Sequence, residues 1–383
     1  MRAPAETRHF VDPAPFDPDS GPAHGSGLGQ ASAWRLILRK FLRHRIAVAC
    51  AILLGVLYAS VPFVEWLAPY EQGRRNGDFL LAPPQGVHLF HEGRLIGPFV
   101  YPYRAQLDLD TFRRGYTRDT TAPQPIRFFC RGGAYRYLGL IPGDLHLICP
   151  PAGGTLFLLG TDRLGRDLLS RMIYGARISL VIGLVGVAIS FALGLLFGGI
   201  AGYFGGWIDA AVQRLIEVVR SLPELPLWLA LSAALPPNWS PLWVFFGITI
   251  ILGLLDWPGL ARAVRGKLLA LREEDFVSAA ELMGASPTRV IARHLIPNFM
   301  SHLIASATLS IPTMILGETA LSFLGLGLRP PVTSWGVLLN EAQNLAAVQL
   351  YPWLLLPVLP VLVTVLAFNF LGDGLRDAAD PYH

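Results

Sequence analysis

Charged residues are scarce in this chain, and lysine is almost missing. Of 383 residues, 15% are charged and 52% are hydrophobic, a balance that lies far from that of an average soluble domain. The only lysines are Lys40 and Lys267, so the net charge of +4 comes from arginine. No basic block with interleaved aromatic residues suggests nucleic-acid binding. The composition therefore predicts a membrane protein with room for several spans of about 20 residues.

Motifs for catalysis and cofactor binding are also missing. The sequence has no G-x-x-x-x-G-K-[ST] phosphate loop and no nucleophile elbow. His88 and His91 form an HxxH pair, but no further ligand completes a metal set. We therefore expect that the chain is not an enzyme by itself, with no catalytic residue, no metal and no cofactor of its own.

Cysteine is rare, and its three positions divide between two environments. Cys50 lies in the first predicted span, whereas Cys130 and Cys149 lie in a long polar segment that we expect outside the membrane. Two cysteines alone in an oxidising compartment favour a disulfide. The alternative is a pair of free, buried thiols.

The first half of the chain divides into three predicted segments. Residues 1–33 are rich in Pro, Gly, Asp and Ala and predict a disordered cytoplasmic tail without the pattern of a secretory signal. Residues 34–68 predict a basic amphipathic helix, Trp34 to Arg45, at the membrane surface, followed by the first span. The basic residues before this span predict a cytoplasmic N-terminus. Residues 69–170 predict an extracytoplasmic, partly β insertion. The charges at 162, 163, 166, 167 and 171 suggest an interfacial helix at its end.

Residues 171–383 predict five further spans, at about 178–203, 205–235, 242–262, 299–321 and 351–371. Glycines at positions 194, 198 and 202 recur every fourth residue in the second span. Such spacing lets two helices approach closely. The partner helix belongs either to this chain or to a second subunit, and the spacing does not distinguish the two.

Two places within these spans are candidates for a pathway or gate. Pro223 and Pro226 interrupt the third span beside Glu224, and a broken helix at membrane depth must face protein or water. The alternative is a charge cluster at the helix's cytoplasmic end. Glu318 lies in the fifth span as a second candidate, with snorkelling of its side chain to water at the outer surface as the alternative.

The polar stretch over 271–298 predicts two short helices with a break. Asp275 is the expected first N-cap, Gly284 the left-handed C-cap, and Ser286 followed by Pro287 the second start, with Pro297 as its stop. One exposed aromatic residue and several small ones predict a docking surface: Phe276, Ser278, Ala279, Ala280 and Gly284. The alternative is an ordinary surface helix hairpin.

The spacing in this stretch resembles the cytoplasmic coupling loop of permeases from ATP-binding-cassette (ABC) importers. The match consists of Ser-Ala-Ala at 278–280, Gly284 four residues later and Pro297 thirteen residues beyond. Ser278 stands where the family commonly has Glu, and His294 where Ile is common. Three further runs, at 160–183, 322–336 and 368–377, resemble the dipeptide and oligopeptide (C-type) branch in the same order.

This resemblance implies an all-α polytopic fold with six transmembrane helices, the type I importer permease core, and a small β insertion between helices 1 and 2. It implies half of a translocation pore that works by alternating access. The implied partners are a second homologous permease, two ABC ATPase subunits that bind ATP and Mg²⁺, and an extracytoplasmic substrate-binding protein. The implied location is the bacterial inner membrane with both termini cytoplasmic. Residues 271–298, including Pro297, would contact the ATPase.

Several alternatives remain open at the level of sequence. Related importers carry nickel or oligosaccharides instead of peptides, and the chain has no selectivity code. A stand-alone secondary transporter would be expected to have two similar halves with matching broken helices, and no such repeat is visible. A membrane-anchored enzyme would need a clustered acid/base or nucleophile set within 69–170, and none is found there.

Overall fold

The structure, a computed structural model, describes residues 33–107, 114–137, 139–151, 153–343 and 349–379. The predicted tail lies outside these residues, apart from Ala33. The main α-helices of the described part are α1 Ala33–Arg43, α2 Arg45–Ser60, α3 Val64–Leu67, α4 Leu168–Phe204, α5 Gly206–Ser221, α6 Glu224–Ala233, α7 Pro241–Leu271, α8 Asp275–Leu282, α9 Pro287–Arg289, α10 Met300–Phe323, α11 Trp335–Glu341 and α12 Val358–Ala379.

Five helical runs in the described part are long and apolar enough to cross a membrane: Arg45–Leu67, Leu168–Phe204, Pro241–Leu271, Pro287–Phe323 and Pro352–Ala379. The fold is therefore a mostly helical, multi-pass membrane protein, as predicted. The third predicted crossing is not one of these runs. It is divided between α5 and the 10-residue apolar helix α6.

The glycine stripe of α4 packs against α7 of the same chain. A Cβ atom added to Gly198 would lie 2.5 Å from the carbonyl oxygen of Ala261, and one added to Gly202 would lie 2.8 Å from the Cβ of Leu268. Glycine is needed because any side chain would push the two backbones apart. The partner helix of this glycine stripe therefore belongs to the same chain. The glycine spacing alone did not distinguish this from a helix of a second subunit.

These contacts also establish that α4 and α7 run parallel. Gly194 lies against Leu260, and Gly202, eight residues later, lies against Leu268. Because α4 and α7 cross the membrane in the same direction, the chain between them must cross back in the opposite direction. Asp209 of α5 binds Arg265, and Trp228 of α6 reaches the level of Leu252. The α5–α6 pair therefore makes the return, with its break between residues 221 and 224.

The segment between the first two spans is strand-rich, as predicted. Its seven strands are β1 His88–His91, β2 Arg94–Val100, β3 Tyr103–Leu107, β4 Arg114–Arg118, β5 Gln124–Pro125, β6 Arg127–Tyr137 and β7 Ile141–Cys149. They pair as a three-stranded sheet (β1–β2–β5) and two antiparallel hairpins, β3–β4 and β6–β7. Cys130 and Cys149 are joined by a disulfide across β6 and β7.

The charged run is a loop as far as Asp167, so the interfacial helix predicted from the charges at 162, 163, 166 and 167 is wrong. Thr161 and Asp167 form an isolated bridge, and helix α4 begins only at Leu168. Asp162 instead binds Arg166 and Arg171 at 2.6 Å each, and it is 1% exposed. Because these charges are paired with each other within the protein, they do not need to lie on a helix side that faces water.

Candidate functional site

The polar stretch over 271–298 is attached to the membrane helices by an apolar core. Helix α8 buries two of its side chains, Val277 and Ala280, which are 1% and 3% exposed. Val277 packs in a cluster with residues of α7 and of the following helical run, among them Leu268, Val290 and Leu295. Because its inner side is packed in this way, α8 is held against the ends of the membrane helices.

Polar contacts tie the same stretch to the end of α4. The hydroxyl of Tyr203 donates to the Oε1 atom of Glu281 at 2.7 Å. Arg272, just after α7, donates to the carbonyl oxygen of Tyr203 at 3.1 Å. A force applied to α8 is therefore transmitted to both α4 and α7, the two helices that share the glycine stripe.

The outer side of α8 and its C-terminal end carry three exposed apolar side chains among polar ones. Phe276 is 41% exposed, Met283 is 81% exposed and Leu282 is 90% exposed. We call these three residues the exposed loop face. An apolar surface of this kind next to polar neighbours is typical of a protein-binding site. Of these three residues, the docking surface predicted from the sequence included only Phe276. The adjacent apolar residues Leu282 and Met283 in an otherwise charged stretch were a sequence signal for the other two.

The small residues that the sequence assigned to docking divide between two sides of α8. Ser278 and Ala279 are exposed, and they remain candidates. Ala280 is buried against its own chain, so its assignment to the docking surface is wrong. The reason is helical geometry, since residues 277 and 280 lie three positions apart on one side and that side faces the chain.

Gly284 ends α8 in the predicted left-handed conformation, with φ of +82°. The backbone N–H of Ala285 donates to the carbonyl oxygen of Ala280 at 3.1 Å, which closes the end of the helix. A Cβ atom at Gly284 would meet no atom within 4 Å. Glycine is therefore needed for its backbone conformation and not for space within this chain.

Three other expected boundaries of the stretch are wrong or only partly present. Glu274, and not Asp275, occupies the N-cap position of α8. Ser286 occupies the second N-cap position, but its side chain makes no capping hydrogen bond. Pro297 does not stop the helix, because a π turn over Val290–Leu295 and a 3-10 turn over Ile296–Phe299 lead directly into α10. A proline is tolerated there since the altered turns change which N–H groups bond.

The break in the third crossing lies beside the middle of α7. Arg220, just before the break, lies over Gly259, and Trp228, just after it, lies near Leu252. Position 256 is roughly 22 Å along the axis from either end of α7. The alternative of a charge cluster at the cytoplasmic end of the crossing stays open, because Arg262 and Arg265 follow Gly259 within two turns of α7. Pro223, Glu224 and Pro226 are all exposed on the chain.

One polar residue at this level was not predicted. Asp256 is partly buried in α7, and the hydroxyl of Ser190 in α4 donates to its Oδ2 atom at 3.0 Å. An acidic residue inside the apolar run over 242–262 was a signal that could have found it. Together with Arg220 and Glu224, it makes the surroundings of the break polar at membrane depth.

Glu318 does not extend to water, and the snorkelling alternative is wrong. Its side chain is 0% exposed. Its carboxylate accepts hydrogen bonds from Ser334 at 2.6 Å, Ser322 at 2.7 Å and Ser179 at 3.3 Å. A carboxylate enclosed by hydroxyl donors from α4, α10 and the N-cap of α11 joins these elements, and its enclosure argues against a place on a pathway surface.

Comparison with known proteins matches two parts of the chain to family models. Residues 194–382 match a model described as a binding-protein-dependent transport system inner membrane component. Residues 32–84 match a model described as the N-terminal TM domain of oligopeptide transport permease C. Residues 85–193, which include most of the strand-rich segment, lie between the two matches.

Individual relatives and a solved structure are similar to the same parts. The dipeptide transport system permease protein DppC of Bacillus subtilis is 41% identical over 234 residues, which cover 61% of this chain and 70% of that protein. The oligopeptide transport system permease protein OppC of Haemophilus influenzae is 42% identical over 223 residues, 58% of this chain and 69% of that protein. A chain of the MetNI methionine ABC transporter, inward facing, aligns at 18% identity and a TM-score of 0.43 over 55% of this chain and 97% of that chain.

Proposed function

The chain belongs to the family of binding-protein-dependent transport system inner membrane components, and on that premise we propose that it couples a cytoplasmic ATPase to a peptide pore through the exposed loop face. It is a permease component of an ABC importer. The peptide substrate is our proposal, supported by the names of the dipeptide and oligopeptide permeases to which it is similar.

The observation that carries the coupling proposal is the exposed loop face on a firmly held α8. Phe276, Leu282 and Met283 offer an apolar contact to a partner. Behind them, Val277 is packed against the membrane helices. A partner that moves α8 would therefore move α4 and α7, which is what alternating access requires of a coupling element.

The test is to add charge to the exposed loop face in the assembled importer. Leu282→Asp with Met283→Asp should leave membrane levels unchanged, because both side chains are exposed. Retention of the ATPase subunits on purification and peptide uptake should both fall at least about tenfold, since placing an unpaired charge in an apolar contact is costly. Thr288→Asp adds a charge to an exposed position on the same stretch and serves as the matched control. Full retention of the ATPase by the double variant would rule out this face as the coupling site.

We also propose that the break around Pro223, Glu224 and Pro226 borders the translocation pathway. Exposed backbone at a helix break is not stable against lipid hydrocarbon, so it must face water or protein. A cysteine placed at position 224 should react with a water-soluble thiol reagent faster in one nucleotide state of the importer than in another. Trp228, 9% exposed, marks a control position at which a cysteine should stay unreactive. Equal rates at 224 in all states would contradict a gate.

The orientation follows from the same proposal. If residues 271–298 contact an ATPase, they are cytoplasmic. Gly372 of α12 packs on Leu309 of α10, and Gly374 packs on Ala47 of α2. The start of α2 and the end of α12 are therefore on the side of the membrane where α10 begins. We infer that both ends of the described chain face the cytoplasm of a bacterial cell, with the strand-rich segment outside.

A substrate-binding protein would contact the outer surface, and a second permease would complete the pore.

A further inference from the structure

The β6–β7 hairpin lies across the outer end of the first span and is fixed to it. His146 of β7 is 2% exposed. Its Nδ1 atom is 2.7 Å from the carbonyl oxygen of Ala68, just beyond α3, and its Nε2 atom is 2.9 Å from that of Gly133. The hairpin therefore has a defined position relative to the membrane helices.

Two aromatic contacts give the height of the hairpin. The rings of Tyr137 and Phe63 have centroids 6.2 Å apart, and those of Phe129 and Trp66 are 6.1 Å apart. Phe63 and Trp66 lie within the last five residues of the run Arg45–Leu67. The hairpin thus lies beside the last turns of the span. This is the level at which Trp and Tyr rings collect at a membrane surface.

Phe129 presents most of its ring to the surroundings of the chain. Its backbone has φ of +49°, a left-handed conformation that costs a residue with a side chain about 1 kcal/mol or more. The ring contacts Trp66 but is still 67% exposed. It therefore adds an apolar surface beside the end of the span.

The side chains at the end of the hairpin have the composition of a membrane-surface segment. Leu140 is 81% exposed and Ile141 is 62% exposed, and both follow directly after the Tyr137 contact with the span. Residues 127–149 contain three arginines and one aspartate, with no glutamate and no lysine. Arginine binds phosphate oxygens well, which fits a layer of lipid headgroups.

We propose that the β6–β7 hairpin rests in the outer headgroup layer beside the first span, with Leu140 and Ile141 in contact with lipid. The exposed lipid-facing surface of that span, which includes Phe63 at 49% exposure, is continuous with the hairpin. The hairpin would hold the strand-rich segment against the membrane at one side of the chain. That this layer is the outer one rests on the orientation proposed above from contact with an ATPase, whereas the lipid contact itself depends neither on the substrate nor on coupling.

The test is a photoreactive amino acid in place of Leu140 in the full chain, activated in native membranes. We expect adducts with phospholipid, identified by mass spectrometry. The matched control replaces Phe90, which is apolar, 64% exposed and part of the β1–β2 hairpin. The yield of lipid adduct should be several-fold higher at 140 than at 90.

Three results would overturn the proposal. Adducts at 140 with another protein, such as a binding protein or a second permease, would identify a protein contact instead of lipid. Reaction at 140 with water alone would indicate that the end of the hairpin stands clear of the membrane. Equal lipid yields at 140 and 90 would indicate non-specific labelling. Position 140 is exposed, so the substitution is not expected to disturb folding, and the yield of chain in the membrane checks this.

Discussion

At the scale of single residues, buried carboxylates hold together the half of the molecule that lies next to the strand-rich segment. Each serine that donates to Glu318 also accepts a backbone N–H: Ser179 from Trp335, Ser322 from Leu328, and Ser334 from Val337. Every hydroxyl is thus used twice. A buried carboxylate is tolerated because its oxygens are bonded, and the arrangement fixes the N-terminus of α11 against α4.

A second buried cluster of charges lies on the same side. Arg171, 1% exposed, binds Asp162 at 2.6 Å and Glu341 of α11 at 2.6 Å. Arg166 also binds Glu341, at 3.0 Å. Two arginines and two carboxylates therefore neutralise each other. This explains how arginines can stand on what we propose is the outer side of the membrane, against the usual tendency of positive charge to stay inside.

We expect Glu341→Ala to destabilise the protein by about 3 kcal/mol, because it leaves a buried arginine with one carboxylate too few. The matched control is Glu217→Ala. Glu217 pairs with Arg214, but their side chains are 59% and 83% exposed, so the loss should stay below about 1 kcal/mol. Thermal unfolding of the purified protein in detergent measures both. Equal effects of the two variants would contradict a special role for the buried cluster.

At the scale of elements, the glycine side of α4 decides how closely it can approach α7. Adjacent glycines in α4 have different surroundings. A Cβ atom on Gly198 would lie 2.5 Å from the carbonyl oxygen of Ala261, whereas one on Gly199 would find only Ile291, at 3.8 Å. The carbonyl oxygen of Ala261 belongs to the helix backbone, so it cannot move away from an added methyl group as the end of a flexible side chain can.

Gly198→Ala should therefore separate α4 from α7 and lower the stability by about 2 kcal/mol, a cost typical of overpacking. Gly199→Ala should be neutral or slightly stabilising, because alanine favours helix more than glycine does. The two variants add the same methyl group to neighbouring positions of one helix. Comparing their melting temperatures in detergent is the measurement, and a stable Gly198→Ala variant would show that the two helices are not held at this distance.

At the scale of the whole molecule, the described chain has surfaces that its own fold leaves uncovered at both ends. Toward the side of α8 these are Leu282 and Met283, and toward the strand-rich segment Leu140. Exposed apolar area of this kind is a common mark of a subunit that works in an assembly.

The purified chain alone is therefore expected to hydrolyse no ATP and to move no substrate in liposomes. Reconstitution with its ATPase subunits, partner permease and binding protein should restore ATP-dependent uptake. The measurement is peptide uptake and phosphate release from the same vesicles. Uptake driven by a proton or sodium gradient with this chain as the only protein would favour a secondary transporter instead.

The sequence alone determined the features that depend on local chemistry or on the length of an apolar run. It predicted the five long crossings, because about 20 apolar residues are needed to span a bilayer. It predicted the break at Pro223 because proline removes a helix hydrogen bond. It predicted the left-handed cap at Gly284, and the pairing of Cys130 with Cys149 followed from their shared segment.

The tertiary structure decided which side of each element is covered, because that depends on partners distant in the sequence. The burial of Ala280 and the exposure of Leu282 follow from the packing of α8 on α7, which no local pattern specifies. Glu318 was expected near water at a helix end, yet three serines enclose its carboxylate. Ser179 and Ser334 are 139 and 16 residues away in the sequence, and Ser322 is one helical turn away. Packing between distant segments also placed Glu341 beside Arg171, since a buried arginine is stable only where the fold brings it a carboxylate.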